Sequence, residues 1–194
     1  MTPFKPSRAQ LEAAADERLP DLIAPGLDVL FCGINPGLYS AAVGCHFGRP
    51  GNRFWPALHR AGFTERQLSP FEQDRLLAYG CGITNLVDRA TRAAAELAPD
   101  ELARGGRKLR RKLARHRPRA LAVLGIEAFR RAFDHPAAGL GRQPDAIEGV
   151  EVWVLPNPSG ANAHYQIDDL VGAFRELLRA LDRTRARPKS CKMT

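Results

Sequence analysis

Two short stretches hold the side chains best suited to chemistry. Gly33-Ile34-Asn35-Pro36-Gly37 sets one amide side chain among glycines and a proline, and Asn157-Pro158-Ser159-Gly160 offers a similar grouping far downstream. Glycines let backbone approach a planar or anionic ligand closely, and free amides beyond a strand make a nest for oxygen acceptors. Asn35 can donate and accept hydrogen bonds but takes up no proton at neutral pH, so it suits the orientation of a water or substrate; a turn-forming Asn-Pro is the alternative. Phe47 lies among glycines and a proline, outside any periodic apolar pattern, which suits a stacking platform, with core packing as the alternative. Arg49 and Arg53, in the same loop, read as phosphate anchors or as solvated loop residues. Asp88 is the carboxylate to consider as a supplementary water activator, against the alternatives of capping the next loop or pairing with Arg89.

The elements that position these residues follow from the apolar pattern. Val29-Leu30-Phe31-Cys32, Ile83 to Val87, Ala120 to Leu124 and Val150 to Leu155 are β-rich runs, and three of them end at the glycine- or asparagine-bearing loops. Helical spacing appears from Gln10 to Arg18, from Phe54 to Ala61, from Pro70 to about Ala78 behind the Ser69/Glu72 capping box, from Pro99 to Pro118, near Glu127 to Phe133, and from Ile167 to about Leu181. Strands alternating with helices predict an α/β domain with a mostly parallel sheet covered on both faces. In such folds ligands sit at the carboxyl edge of the strands, where both unusual loops fall and can face one another across one cleft.

Length and composition bound the function. The 194 residues, 44% hydrophobic, support one sizeable core, and no apolar run approaches the roughly 20 residues of a membrane span. Residues 1–20 form an arm or short helix, 21–182 one domain, and 183–194 a basic, disordered tail. Cys32, Cys45, Cys81 and Cys191 are widely spaced and form no Cys/His cluster, so neither a zinc site nor an iron–sulfur cluster is indicated, and no cofactor is expected. The amino terminus lacks a signal-peptide core, which points to a soluble, cytoplasmic, nucleoid-associated monomer. Net charge is +8, and the stretch from Arg104 to Arg119 holds nine Lys/Arg and no acidic residue. Such a concentration attracts polyanions, nucleic acid above all, although a solvated helix face has the same composition.

Five collinear blocks carry a resemblance that covers about Asp21 to Asp182. Leu30 to Leu38, Asn52-Arg53-Phe54-Trp55, Gly82 to Arg89, Gly105 to Leu109 and Trp153 to Gly160 resemble the bacterial mismatch-specific uracil-DNA glycosylases, relatives of thymine-DNA glycosylase. The resemblance implies a three-layer α/β/α sandwich around a central, mostly parallel sheet. It implies hydrolysis of the N-glycosidic bond of uracil, or of a related pyrimidine such as 3,N4-ethenocytosine or thymine, in a G mispair of double-stranded DNA. By the same resemblance Asn35 falls on the water-positioning catalytic position and Phe47 on the aromatic under the extruded base. Ile34, Gly37, Ser40 and Asn157 fall on the base pocket, while Pro158, Ser159, Gly160 and Ala161 match the loop that enters the duplex, with Arg53 as a further DNA contact. Ala161 departs from the family's bulky wedge, and alanine has little apolar surface with which to fill the space of a flipped nucleotide. Two rivals remain: a binder of free nucleotides, which lacks the usual phosphate-loop motifs, and a noncatalytic DNA-binding module driven by the basic helix.

Overall fold

The structure is a computed structural model, and it describes residues 5–185. The central strands are β1 (Val29–Gly33), β2 (Cys81–Asn85), β3 (Ala120–Leu124), β4 (Gly141–Arg142) and β5 (Glu151–Leu155), in the order β2-β1-β3-β5-β4. Every pairing is parallel except that of β4, a two-residue antiparallel edge. From β1 the sheet grows outward to β2, and from β3 it grows the other way to β5. The reversal falls between β1 and β3, the place where an open α/β sheet leaves a crevice at its carboxyl edge.

Alternation along the strands assigns side chains to two layers. Phe31, Ile83, Ala122 and Trp153 face α3 (Phe54–Ala61) and α6 (Ile167–Arg185), where Phe31 stacks on Phe174 at 5.5 Å. Leu30, Leu121, Val123 and Val154 face α4 (Pro99–His116) and α5 (Ile126–Phe133). Both faces are therefore dry, as a run such as Ala120-Leu121-Ala122-Val123-Leu124 requires, and the architecture is the expected α/β/α sandwich. Gly105 and Gly106 make the α4 layer possible. A Cβ on Gly105 would strike the Leu86 carbonyl and one on Gly106 the Ala132 carbonyl, so the pair lets α4 sit directly on the loop after β2 and on α5.

Several elements differ from the pattern read from sequence. The amino-terminal helix α1 covers only Arg8–Ala13, and the chain from Ala14 to Leu22 lies along the outer edge of β2 and the loop after it through the bridges Leu22↔Ile83 and Arg18↔Arg89. This stretch is part of the core, since Ala14 and Leu19 are buried. Strand β2 begins at Cys81, not Ile83, because Gly82 belongs to it: a Cβ there would meet Leu27 Cδ1 at 2.5 Å and the Leu22 carbonyl at 2.7 Å. The segment Pro70–Tyr79 is wound as 3-10 turns rather than α-helix, with Glu72 outside helical geometry and its carboxylate drawn to the Ser69 N–H and to Arg66. At the carboxyl terminus α6 continues to Arg185, past Leu181; the remaining basic tail, with Arg187, Lys189 and Lys192, lies outside the described residues.

Candidate active site

At the reversal point the ends of β1, β3 and β5 converge. Gly125, just past β3, has φ 139°, and a Cβ on it would meet Ile34 Cδ1 at 3.3 Å and Asn157 Cβ at 3.9 Å. Above this junction opens a cavity of about 410 Å³. Its floor is Gly33 to Gly37 with Ser40, and Phe47, His46 and Asn85 close one side. Asn157, Ser159 and Ala161 line the cavity from the second loop, together with the buried Thr91 and the exposed Arg92. The two loops singled out by sequence thus do share one cleft.

Asn35 is held by its amide nitrogen. Nδ2 donates to Thr91 Oγ1 at 2.7 Å and to the carbonyls of Arg89 and Pro36 at 3.2 Å each. Thr91 Oγ1 gives its own hydrogen to the Ala93 carbonyl at 2.9 Å, so it can only accept from Asn35. This chain of donors fixes which way the amide faces: the nitrogen points into the protein, and Oδ1 is an acceptor with no donor among the described residues. The Arg89 carbonyl is in turn held in place through its side chain. The Arg89 guanidinium grips Glu101 with contacts of 2.7 and 2.9 Å and Asp16 at 3.0 Å. Beside this guanidinium the Glu101 carboxyl is lowered to about 2, so the grip is ionised at any physiological pH.

Phe47 occupies the left-handed region, φ 52°, where a bulky residue is strained by about 1–3 kcal/mol. Its neighbours over-determine it. His46 N–H donates to Gln73 Oε1 at 2.8 Å, Trp55 Nε1 donates to the His46 carbonyl at 3.2 Å, and Gly48 N–H donates to Ser40 Oγ at 3.0 Å. Gly48 has no room for a side chain, since a Cβ would come within 2.9 Å of the Cys45 carbonyl. The strain turns the Phe47 ring to stack on Phe54 at 4.1 Å and 24°, while the ring also lines the cavity.

His46 and Asn85 are functional candidates that sequence reasoning passed over. His46 is buried and its Nε2 lies 2.9 Å from the Pro20 carbonyl, which accepts, so Nε2 carries the hydrogen and Nδ1 is the acceptor facing Asn85 Nδ2 at 3.5 Å. Burial lowers the imidazole pKa from its ordinary value and keeps it neutral. Asn85 Oδ1 is then directed over Gly33, 2.5 Å from where a Cβ would stand, so only glycine fits below it. The signals were present as Gly33 and as a polar residue ending a strand, but the pairing of His46 with Asn85 spans 39 residues.

Two expectations change. Arg53, assigned to a DNA phosphate, is turned inward and is half-buried. Its guanidinium donates to the carbonyls of Ser159 at 2.5 Å, Asn162 at 2.9 Å and Pro158 at 3.4 Å, and to that of Tyr165. Four carbonyls of one loop satisfy its donors, which leaves the side chain a clamp on residues 158–165. Asp88 does not reach the cleft. Its carboxylate lies beside Arg18 at 3.7 Å and Lys108 at 3.8 Å, in a separate hollow against α4, and Arg89 pairs elsewhere. Of the remaining loop residues, Pro158 is buried under the clamp, Gly160 packs on the Gly51 carbonyl, and Ala161 is exposed at the rim.

A doubly covered, mostly parallel sheet with an amide-lined cleft at its reversal point defines an α/β protein whose candidate site lies at the carboxyl edge of its strands. A family model described as the uracil DNA glycosylase superfamily matches residues 20–181, and the chain belongs to that superfamily. Among solved structures it is similar to a protein of Methanosarcina acetivorans, determined by solution NMR and described as a candidate uracil DNA glycosylase. That similarity has a TM-score of 0.54 at 19% identity and covers 84% of this chain and 98% of the other. At that identity it speaks for the fold.

Proposed function

We propose that the protein extrudes uracil, or a related damaged pyrimidine such as 3,N4-ethenocytosine, from a G mispair in duplex DNA and hydrolyses its N-glycosidic bond without a cofactor. The observation that carries this reading is the fixed amide of Asn35: with Nδ2 occupied by Thr91, Arg89 and Pro36, Oδ1 can only accept, and a water is the donor it suits. In the reaction the bond from the sugar carbon to the base nitrogen breaks with its electron pair leaving on the base. The water oxygen bonds to the cationic sugar carbon and releases its proton to solvent, leaving an abasic site and free base. A strongly cationic sugar centre accepts a weak nucleophile, so orientation by a neutral amide suffices where a carboxylate would otherwise be needed. Donors aimed at the departing base stabilise its growing charge.

The rest of the cleft suits the same task. Phe47 offers a ring face on which an extruded base can stack, worth about 1–3 kcal/mol per base. Asn85 Oδ1 is an acceptor for a ring N–H, which uracil has at N3 and which cytosine and 3,N4-ethenocytosine lack, so this contact favours uracil over both. Extrusion costs a few kcal/mol and least for a mispair, which favours G·U over A·U before any contact is made. The test is base release from duplexes carrying uracil opposite guanine, uracil opposite adenine, or cytosine opposite guanine. Release in that descending order supports the reading, and release of no base from any of them removes it.

A further inference from the structure

The most basic stretch of the sequence, on α4, is set apart from the cleft. Helix α4 contributes no residue to the cleft lining, begins with the acidic residues Asp100 and Glu101, and runs 18 residues, about 27 Å at 1.5 Å each. Its far end lies beside the entry to β1, where Gly26 N–H reaches the His116 carbonyl at 3.4 Å and Arg119 pairs with Asp28 at 2.8 Å. Much of its charge is also neutralised: Arg104 pairs with Asp100, Lys108 with Asp88, Arg110 with Glu148 at 3.4 Å and Lys112 with Asp21 at 2.7 Å.

Arg49 and Arg92 differ on both counts. They line the cleft itself, from two separate loops, one after α2 (Leu38–Val43) and one after β2. Both are exposed, and among the described residues neither guanidinium makes an ion pair. The Glu96 carboxylate accepts from the Arg92 backbone N–H at 3.3 Å and so anchors the loop without using the side chain's charge. Arg53, in the same loop as Arg49, adds to the contrast, because its guanidinium is spent on protein carbonyls.

We propose that Arg49 and Arg92 are the phosphate-gripping residues of this protein, holding the DNA backbone at the cleft mouth, and that the cationic face of α4 lies outside the DNA footprint. The inference rests on the cleft being the DNA site. An exposed, unpaired guanidinium can take a phosphate bidentately and release a counterion, which an arginine already paired to a carboxylate cannot do without losing its partner.

The experiment is duplex binding measured across salt, between about 50 and 200 mM, because the slope of log affinity against log salt falls by about 0.9 for each phosphate that the protein no longer neutralises. Arg49→Ala and Arg92→Ala are expected each to flatten the slope by about 0.9 and together by about 1.8. The triple variant Arg107→Ala, Arg111→Ala, Arg115→Ala, a stripe of α4 with no ion pair among the described residues, is expected to leave it unchanged. All five positions are exposed, and melting curves check that each variant folds. A slope that flattens in the α4 triple and not in the cleft pair overturns the proposal, as does no change in either. Uracil release by the parent protein is scored separately. Its failure removes the glycosylase reading, whereas the slopes decide the grip in either case.

Discussion

Replacing Thr91 by valine keeps the side chain's shape and deletes the hydroxyl that accepts from Asn35 and donates to the Ala93 carbonyl. Asn35 Nδ2 has two hydrogens shared among three acceptors, and Thr91 Oγ1, at 2.7 Å, is the shortest of them. The Arg89 and Pro36 carbonyls, both at 3.2 Å, remain, so the amide is loosened and not released. A neutral hydrogen bond of this kind contributes about 0.5–1.5 kcal/mol. If that energy is expressed in the orientation of Oδ1 at the transition state, base release slows by about two- to twelvefold. The assay is single-turnover release with enzyme in excess over a G·U duplex. The plateau rate should fall while the enzyme concentration giving half the plateau stays constant, since an interaction made only in the transition state leaves ground-state binding alone. An unchanged plateau, or a loss of affinity at constant plateau, would refute the reasoning that Thr91 acts through Asn35.

Three further outcomes follow from the same geometry. Arg53→Ala should accelerate amide hydrogen exchange in residues 158–165 and lower base release more than tenfold, with Arg53→Lys between the two; a flattened salt slope without faster exchange would return Arg53 to a phosphate role. Asp88→Asn should leave the release rate within about twofold of the parent, the usual small effect of a partly exposed ion pair, and a dead variant would make the carboxylate essential after all. His46 has a folded-state pKa below its ordinary 6.5, so the unfolded chain binds the extra proton first. Stability from the neutral imidazole is therefore full above about 6.5 and is lost as pH falls through that value toward the lower folded one. Melting temperatures between about pH 7.5 and 5 should drop more steeply for the parent than for His46→Gln; equal slopes would show that His46 is not the titrating group. Glu72 and Glu101, each lowered to about 2 mainly by its arginine partner, ionise below that window and do not confuse it.

Much of the layout was legible because it is local. A buried run such as Val29 to Gly33 ending in Asn-Pro-Gly announces a parallel strand with a loop at its carboxyl edge, and the second loop at Asn157 repeats the announcement. The short helix α2 inside the first loop was not legible, since Leu38-Tyr39-Ser40-Ala41-Ala42-Val43 has no polar cap and no amphipathic stripe. Side-chain roles set by distant partners were also hidden. Asn35 and Thr91 are 56 residues apart, and Arg53 reaches carbonyls more than a hundred residues away. Charge density was legible but its pairing was not: the arginines of α4 stand out in composition, but composition carries no information about which of them face carboxylates.

The proposed chemistry depends on a neutral amide placing a water against the sugar carbon of an extruded nucleotide. Single-turnover release of uracil from a G·U duplex by the parent and by Asn35→Ala tests it most directly. Water positioning by Asn35 predicts measurable release by the parent and a fall of at least a hundredfold in the variant, with duplex affinity kept within a few fold. Release that survives the substitution, or that is absent from the parent, would contradict it.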